Sequence, residues 1–197
     1  MKTFKNFILE QSQNNHPGSF VWHGSPHHFN EFSTKNTAHT GEGGAAYGSG
    51  IYVSSERKVG EHYRDFDKKK KGKLYHVHMS THPHHMIHWD KKVSEQHPPV
   101  KKALKKAMAA SEFSASKDPF AKHVFHHMRA QHIKDGTHTR VEASAATSKF
   151  LEKHDVHGVT YKGDIHSDNP RNTINHVVFN QKHLKIRKTF DHKGKPT

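Results

Sequence analysis

At 197 residues, with 32 Lys and Arg against 18 Asp and Glu for a formal charge of +14, the chain is long enough for one domain with its own core, short for two, and suited to anionic partners. The absence of cysteine excludes a disulfide scaffold and a thiolate metal site, and no apolar run approaches the roughly 20 residues of a membrane span, so no membrane partner is expected. The 24 histidines add positive charge as pH falls toward about 6.5.

In chain order, MKTFKNFILE has an apolar stretch, Phe7 to Leu9, too short for a secretory signal. It reads as a short amphipathic helix, with Phe4, Phe7 and Ile8 at i, i+3 and i+4. Residues 20 to 23 read as a buried strand, and 33 to 50 as irregular and Gly-rich. A strand at 50 to 53 runs into a helix capped by Ser54 or Ser55, with Val59 and Tyr63 on one face. The run DKKKKGK is a solvated loop, after which KLYHVHM alternates as a strand. A second irregular stretch ends at Pro98-Pro99, where proline opens a helix. Helices follow over 100 to 113, from Asp118-Pro119 to about Ile133, and over 142 to 154, the last ended near Gly158. Strands at 158 to 161, 174 to 180 and 183 to 190 close the chain, the last two as a hairpin through Asn180 to Lys182. The expected fold is α+β, with small, mainly antiparallel sheets and flanking helices, in a monomer.

The histidines of HVHMSTHPHHMIHW include His76 and His78 on one strand face, and imidazole suits zinc or nickel. Histidine is spread along the whole chain, however, so composition explains the cluster and no metal is expected. There is no phosphate-binding Walker loop and no His-Glu-x-x-His. What remains is Val21-Trp22-His23-Gly24-Ser25, then Tyr47-Gly48-Ser49-Gly50-Ile51-Tyr52, then Tyr63 eleven residues beyond Tyr52. Two tyrosines so placed can hold a planar cation between their faces, at about 0.5 to 2 kcal/mol per face.

That pattern resembles the NAD site of ADP-ribosyltransferases of the diphtheria-toxin and poly-ADP-ribose polymerase branch. The blocks YHVHMSTHPHHMIHWDKKVSEQHPPVKKAL, SAATSKFLEKHDVHGVTYKG and INHVVFNQKHLKI are similar, in order, to the subgroup found in phage and mobile-element polyvalent proteins. The likeness covers residues 20 to 187 and implies an ADP-ribosyltransferase-like fold with NAD as substrate. It implies that His23 holds a ribose, that Gly24 and Ser25 hold the nicotinamide amide, and that Tyr52 and Tyr63 sandwich the ring, with Tyr47 lining the site. Many relatives carry a catalytic glutamate where this chain has Asn175. An amide can bond a ribose hydroxyl but cannot supply charge, so the resemblance implies single transfer in place of chain elongation. A carboxylate could come from Glu95, Glu42 or Asp164, and of these Glu95 stands in a block shared with the subgroup.

The leader MKTFKNFILE also resembles the capsid-targeting sequence of internal head proteins of large tailed phages, which a phage protease cuts after the glutamate, here Glu10. The implied organisation is a leader and linker over 1 to 19, a transferase domain over 20 to 190 and a flexible tail over 191 to 197. The implied function is mono-ADP-ribosylation of a host protein, or of nucleic acid, by a protein carried in the virion beside packaged DNA and delivered into the host cytoplasm. The alternatives are a basic head or DNA-binding protein that has lost turnover, and an anti-defence protein that acts by occupancy.

Overall fold

The computed structural model describes residues 18–34, 45–134, 139–163 and 166–197. The leader with its expected helix and Glu10, together with Glu42 and Asp164, lies outside them. In chain order the elements are β1 (Ser19–Ser25), β2 (Ile51–Ser54), α1 (Arg57–Arg64), β3 (Lys73–Met79), β4 (Met86–His88), α2 (Pro98–Ala110), α3 (Ala121–Lys134), α4 (Arg140–Glu152), β5 (Gly158–Lys162), β6 (Ile174–Val178) and β7 (Leu184–Phe190). All the strands join one sheet in the order β4-β5-β6-β2-β1-β3-β7, in which only β4 and β5 run parallel. The fold is α+β, as expected, with one continuous sheet in place of several small ones.

Local chemistry explains most of the element ends. Pro98 and Pro99 open α2, where a missing N–H leaves nothing unpaired, and Val100, Ala103, Leu104 and Ala107 turn one buried stripe inward. The N–H of Glu142 donates to Thr139 Oγ1 at 3.3 Å while the N–H of Thr139 donates to Glu142 Oε2 at 2.7 Å, a reciprocal cap that starts α4. That helix stops at Glu152, earlier than expected. The left-handed residue after it is Asp155, at φ 66°, and Gly158 instead begins β5. Neither Ser54 nor Ser55 caps α1, whose flanking residue is Glu56. Ser54 Oγ accepts the Glu56 N–H at 3.1 Å and shapes the turn into α1, while Ser55 Oγ accepts the Ile174 N–H at 3.0 Å and extends the contact between β2 and β6.

β6 and β7 do not form the expected hairpin. β6 sits between β5 and β2, β7 lies beside β3, and a 3-10 turn at Gln181–His183 carries the chain from one to the other. Buried Val177 and Val178, which face opposite sides of the sheet, mark β6 as an interior strand, whereas β7 exposes Lys185 and Arg187 as edges do. Residues 191–197, expected as a flexible tail, instead fold back on β7. Phe190 bridges Pro196, and the Thr197 N–H donates to Thr189 O at 2.9 Å.

Two cores flank the sheet. On one face Ile87, Val159 and Val177 pack under α2, α3 and α4 with Leu104, Phe125 and Leu151. On the other, Val21, Val53, Tyr75, Val77 and Val178 pack under Phe29 and Phe32 of the segment after β1. β1 and β3 pair along all seven residues, yet β1 meets β2 only at Trp22↔Ser54. The sheet therefore behaves as two halves joined at one point, with open strand edges beside the join.

Candidate functional site

His23, Tyr52 and Asn175 lie near this join. His23 lies next to it on β1, and its Nδ1 approaches Tyr52 O of β2 at 2.7 Å. A ring nitrogen facing a carbonyl must carry the proton, so Nδ1 donates and the other ring nitrogen is left as an acceptor. The ring is packed by Phe32 at 5.2 Å, Phe29 at 5.9 Å and Tyr75 at 6.1 Å between centroids. Burial among these rings pushes the imidazole pKa below its usual range, against the smaller opposing effect of the Tyr52 carbonyl. His23 is therefore neutral at neutral pH.

Alternation along β2 turns Tyr52 to the opposite face, beneath the helices. Its hydroxyl donates to Gly48 O at 3.0 Å and accepts the Tyr47 N–H at 3.3 Å, tying the end of the Gly-rich segment to the strand. Burial is the main reason that the phenol pKa is pushed up to about 12, and Tyr63 on α1 lies near enough to add to the push. The Tyr47 ring stacks on Tyr161 of β5 at 3.8 Å and 4°, and meets Trp89 edge-on at 5.1 Å. Such pairs contribute about 0.5 to 1.5 kcal/mol beyond the area they bury. In β6, Asn175 pairs in register with both Ser54 and Tyr161 and is 2% exposed. Its amide donates to Gly163 O at 2.9 Å.

Gly24 and Ser25 have structural duties. α1 crosses directly over Gly24, where a Cβ would stand 1.7 Å from Gly60 O. Ser25 Oγ accepts the His27 N–H at 3.0 Å and shapes the turn after β1. Glu95 is not brought to the others. It is exposed in the 3-10 turn that leads into α2, with its carboxylate accepting the Lys92 N–H at 2.8 Å, as suits an acidic residue near a helix start.

Three residues belong to this neighbourhood without having been expected. Tyr161 is the stacking partner of Tyr47. Arg129 of α3 is half-buried, points Nη1 at Ala46 O at 3.4 Å, and exerts a charge effect on Tyr52. Glu56 lies two residues beyond Ser54 in line with Thr173, just as Asn175 pairs with Ser54. Its carboxylate accepts from Ser167 Oγ, from Thr173 Oγ1 at 2.7 Å and from the Asp168 N–H at 2.9 Å, and the two hydroxyls hold its pKa below the usual carboxylate range. Lys58 pairs with Asp168 and His62 stacks on His166 at 3.4 Å, so the segment 166–173 is clamped to α1 at three points. Glu56→Gln removes the charge that both hydroxyls answer. Amide exchange at Asp168 and Thr173 is expected to quicken about tenfold, the equivalent of one hydrogen bond. Unchanged exchange would show that the clamp does not depend on Glu56.

The chain matches no protein-family model, no curated protein and no solved structure. Among the described residues no helix is long and apolar enough to cross a membrane.

Proposed function

We propose that the protein is a mono-ADP-ribosyltransferase that moves ADP-ribose from NAD to a host macromolecule, a protein ahead of nucleic acid. We further propose that it is phage-encoded and travels in the virion to the host cytoplasm. The observation that carries the reading is the bond from His23 Nδ1 to Tyr52 O, which joins the His-Gly strand to the first of the two tyrosines. The remaining nitrogen of a neutral His23 is an acceptor for a ribose hydroxyl. Tyr52 and Tyr63 offer the aromatic faces for a cationic pyridinium, and Arg129 is the cation for a diphosphate.

In the transfer, the bond from the ribosyl carbon to the pyridinium nitrogen breaks with its electron pair going to nicotinamide. A nucleophile of the acceptor forms the new bond and loses its proton to water. Asn175 can hold a ribose hydroxyl, and Glu56, ionised and two residues along the same strand alignment, supplies the negative charge that Asn175 lacks.

The test incubates the full-length protein with labelled NAD and host lysate, then treats the product with protease or nuclease. Wild type is expected to release nicotinamide and give protease-sensitive label. Tyr52→Ala should label about 30-fold less, corresponding to about 2 kcal/mol of lost stacking. Equal labelling by the variant, or neither label nor nicotinamide from wild type, would refute the transferase reading.

A second reading, a basic head or DNA-binding protein acting without turnover, is favoured by one surface. On the β1-β3-β7 half Phe20 is 58% exposed and stacks on His76 at 4.9 Å, while Arg57 covers Trp22 at 5.2 Å. Lys185 and Lys188 stand in register with His78 and His76. Aromatic rings among cations suit stacked bases and phosphates. On this reading Tyr52→Ala leaves DNA retention unchanged and no NAD is consumed.

A further inference from the structure

Away from that site, three parts of the chain meet at the end of the sheet where β4 and β5 begin. His85 closes the 3-10 turn Pro83–His85, Asp155 and His157 lie between α4 and β5, and His183 ends the 3-10 turn before β7. The backbone fixes their approach. The His157 N–H donates to His85 O at 2.8 Å, and the Phe179 N–H donates to His157 O at 2.9 Å. His85 Nδ1 lies 2.8 Å from Asp155 O and 3.1 Å from its Oδ2, while His157 Nε2 lies 3.3 Å from Oδ1. One nitrogen from each histidine and one carboxylate oxygen stand within 4.8 Å of one another. His183 stacks on the His157 ring at 4.4 Å.

Two further observations mark this group. His157 Nδ1 and His183 Nε2 are buried without a hydrogen-bond partner, a condition that is rare in a finished core. The left-handed backbone of Asp155 that follows α4 sets both its carbonyl and its carboxylate beside His85 Nδ1. By contrast, His76 and His78, the pair that sequence singles out, both lie against Phe20.

We propose that His85, Asp155 and His157 form a binding site for one divalent transition-metal ion of the zinc class, with His183 packed against it. Two imidazoles and a carboxylate suit zinc, cobalt or nickel and disfavour magnesium and calcium, which take oxygen cages. Zinc bonds of about 2.0 to 2.2 Å place tetrahedral ligands about 3.3 Å apart, so the group needs to close by roughly 1.5 Å, a distance that side-chain rotation covers. The nearby Lys182 ammonium opposes a cation there. The bound ion would staple the approaches to β4 and β5. The proposal is independent of the transferase reading.

Other histidines will bind metal loosely, so the test is competitive. Full-length protein is dialysed against zinc in the presence of excess imidazole, and retained metal is counted per folded chain. Wild type should keep one ion and, with cobalt, show the visible absorption of a four-coordinate site. Asp155→Asn and His157→Gln should each weaken retention at least about tenfold, whereas His76→Gln should keep it. Should His157→Gln fail to fold, Asp155→Asn and His85→Gln decide. A wild type that holds no ion under competition, or a loss in His76→Gln equal to that in Asp155→Asn, would overturn the site.

Discussion

Replacing Gly24 by alanine is expected to destabilise the protein severely. The added Cβ would lie 1.7 Å from Gly60 O and 2.6 Å from Arg64 N, and both atoms belong to the backbone of α1. No rotamer change can relieve such a contact, so the helix must lift from β1. The penalty should exceed the usual 1 to 3 kcal/mol of overpacking, against a total stability of about 5 to 15 kcal/mol. The expected result is a fall of about 10 °C or more in Tm. Gly60→Ala supplies the contrast, since its Cβ would first meet Leu74 Cδ1 at 2.7 Å, the end of a side chain that can turn away. A Gly24→Ala protein that melts with wild type would mean that α1 does not cross β1 this closely. The close approach also matters for the site, because α1 carries Tyr63 toward Tyr52.

Acid should destabilise the protein well before its carboxylates titrate. Burial pushes several histidine pKa values down, including His23 and His88, and holds His176 and His183 at about 4. The unfolded chain takes up protons near pH 6.5 that these folded histidines refuse, so stability is highest above that pH and falls as pH drops toward 4. Each such group contributes at most about 1.4 kcal/mol per pH unit within the window, less where water reaches the ring. Carboxylates with depressed pKa values, Glu56 among them, add their loss only below about pH 4.5, so the interval from 6.5 to 4.5 belongs to histidine. Urea midpoints should fall steadily across it, and His176→Gln, which keeps a polar partner for Thr160 Oγ1, should flatten the fall. A flat profile between pH 7.5 and 5 would show that the imidazoles are not held neutral by burial.

Elements with their own periodic signal were legible in the sequence. The prolines that open α2, the alternation of β3 and the helical run that becomes α4 all act over a few residues and appear close to where expected, while the Thr139 cap that starts α4 at Arg140 was not read from the sequence. β4 escaped because its three residues sit in a His-rich stretch, and its strand character comes from pairing with β5. The false hairpin came from treating chain order as spatial order. The valines of β6 and the exposed cations of β7 already distinguished an interior strand from an edge. In the candidate site, the family resemblance singled out His23, Tyr47, Tyr52 and Asn175, which lie near one join in the fold. Glu95 stays outside because membership of a block shared with the subgroup says nothing about which strand edge its loop serves. Arg129 and Glu56 went unseen because a cation on a helix and an acid after two serines look like solvent-facing residues until α3 and the segment 166–173 fold against them.

The way residues 191–197 double back on β7 bears on behaviour in concentrated solution. An exposed sheet margin is a template on which another molecule's strand can grow. Here the bridge from Phe190 to Pro196 closes one end of that margin with a residue that has no N–H to offer, and the neighbouring lysines and arginine repel a second copy. Seven residues that look expendable in the sequence are thus placed to block strand addition at that margin, and an affinity tag fused after Thr197 would press on the block itself.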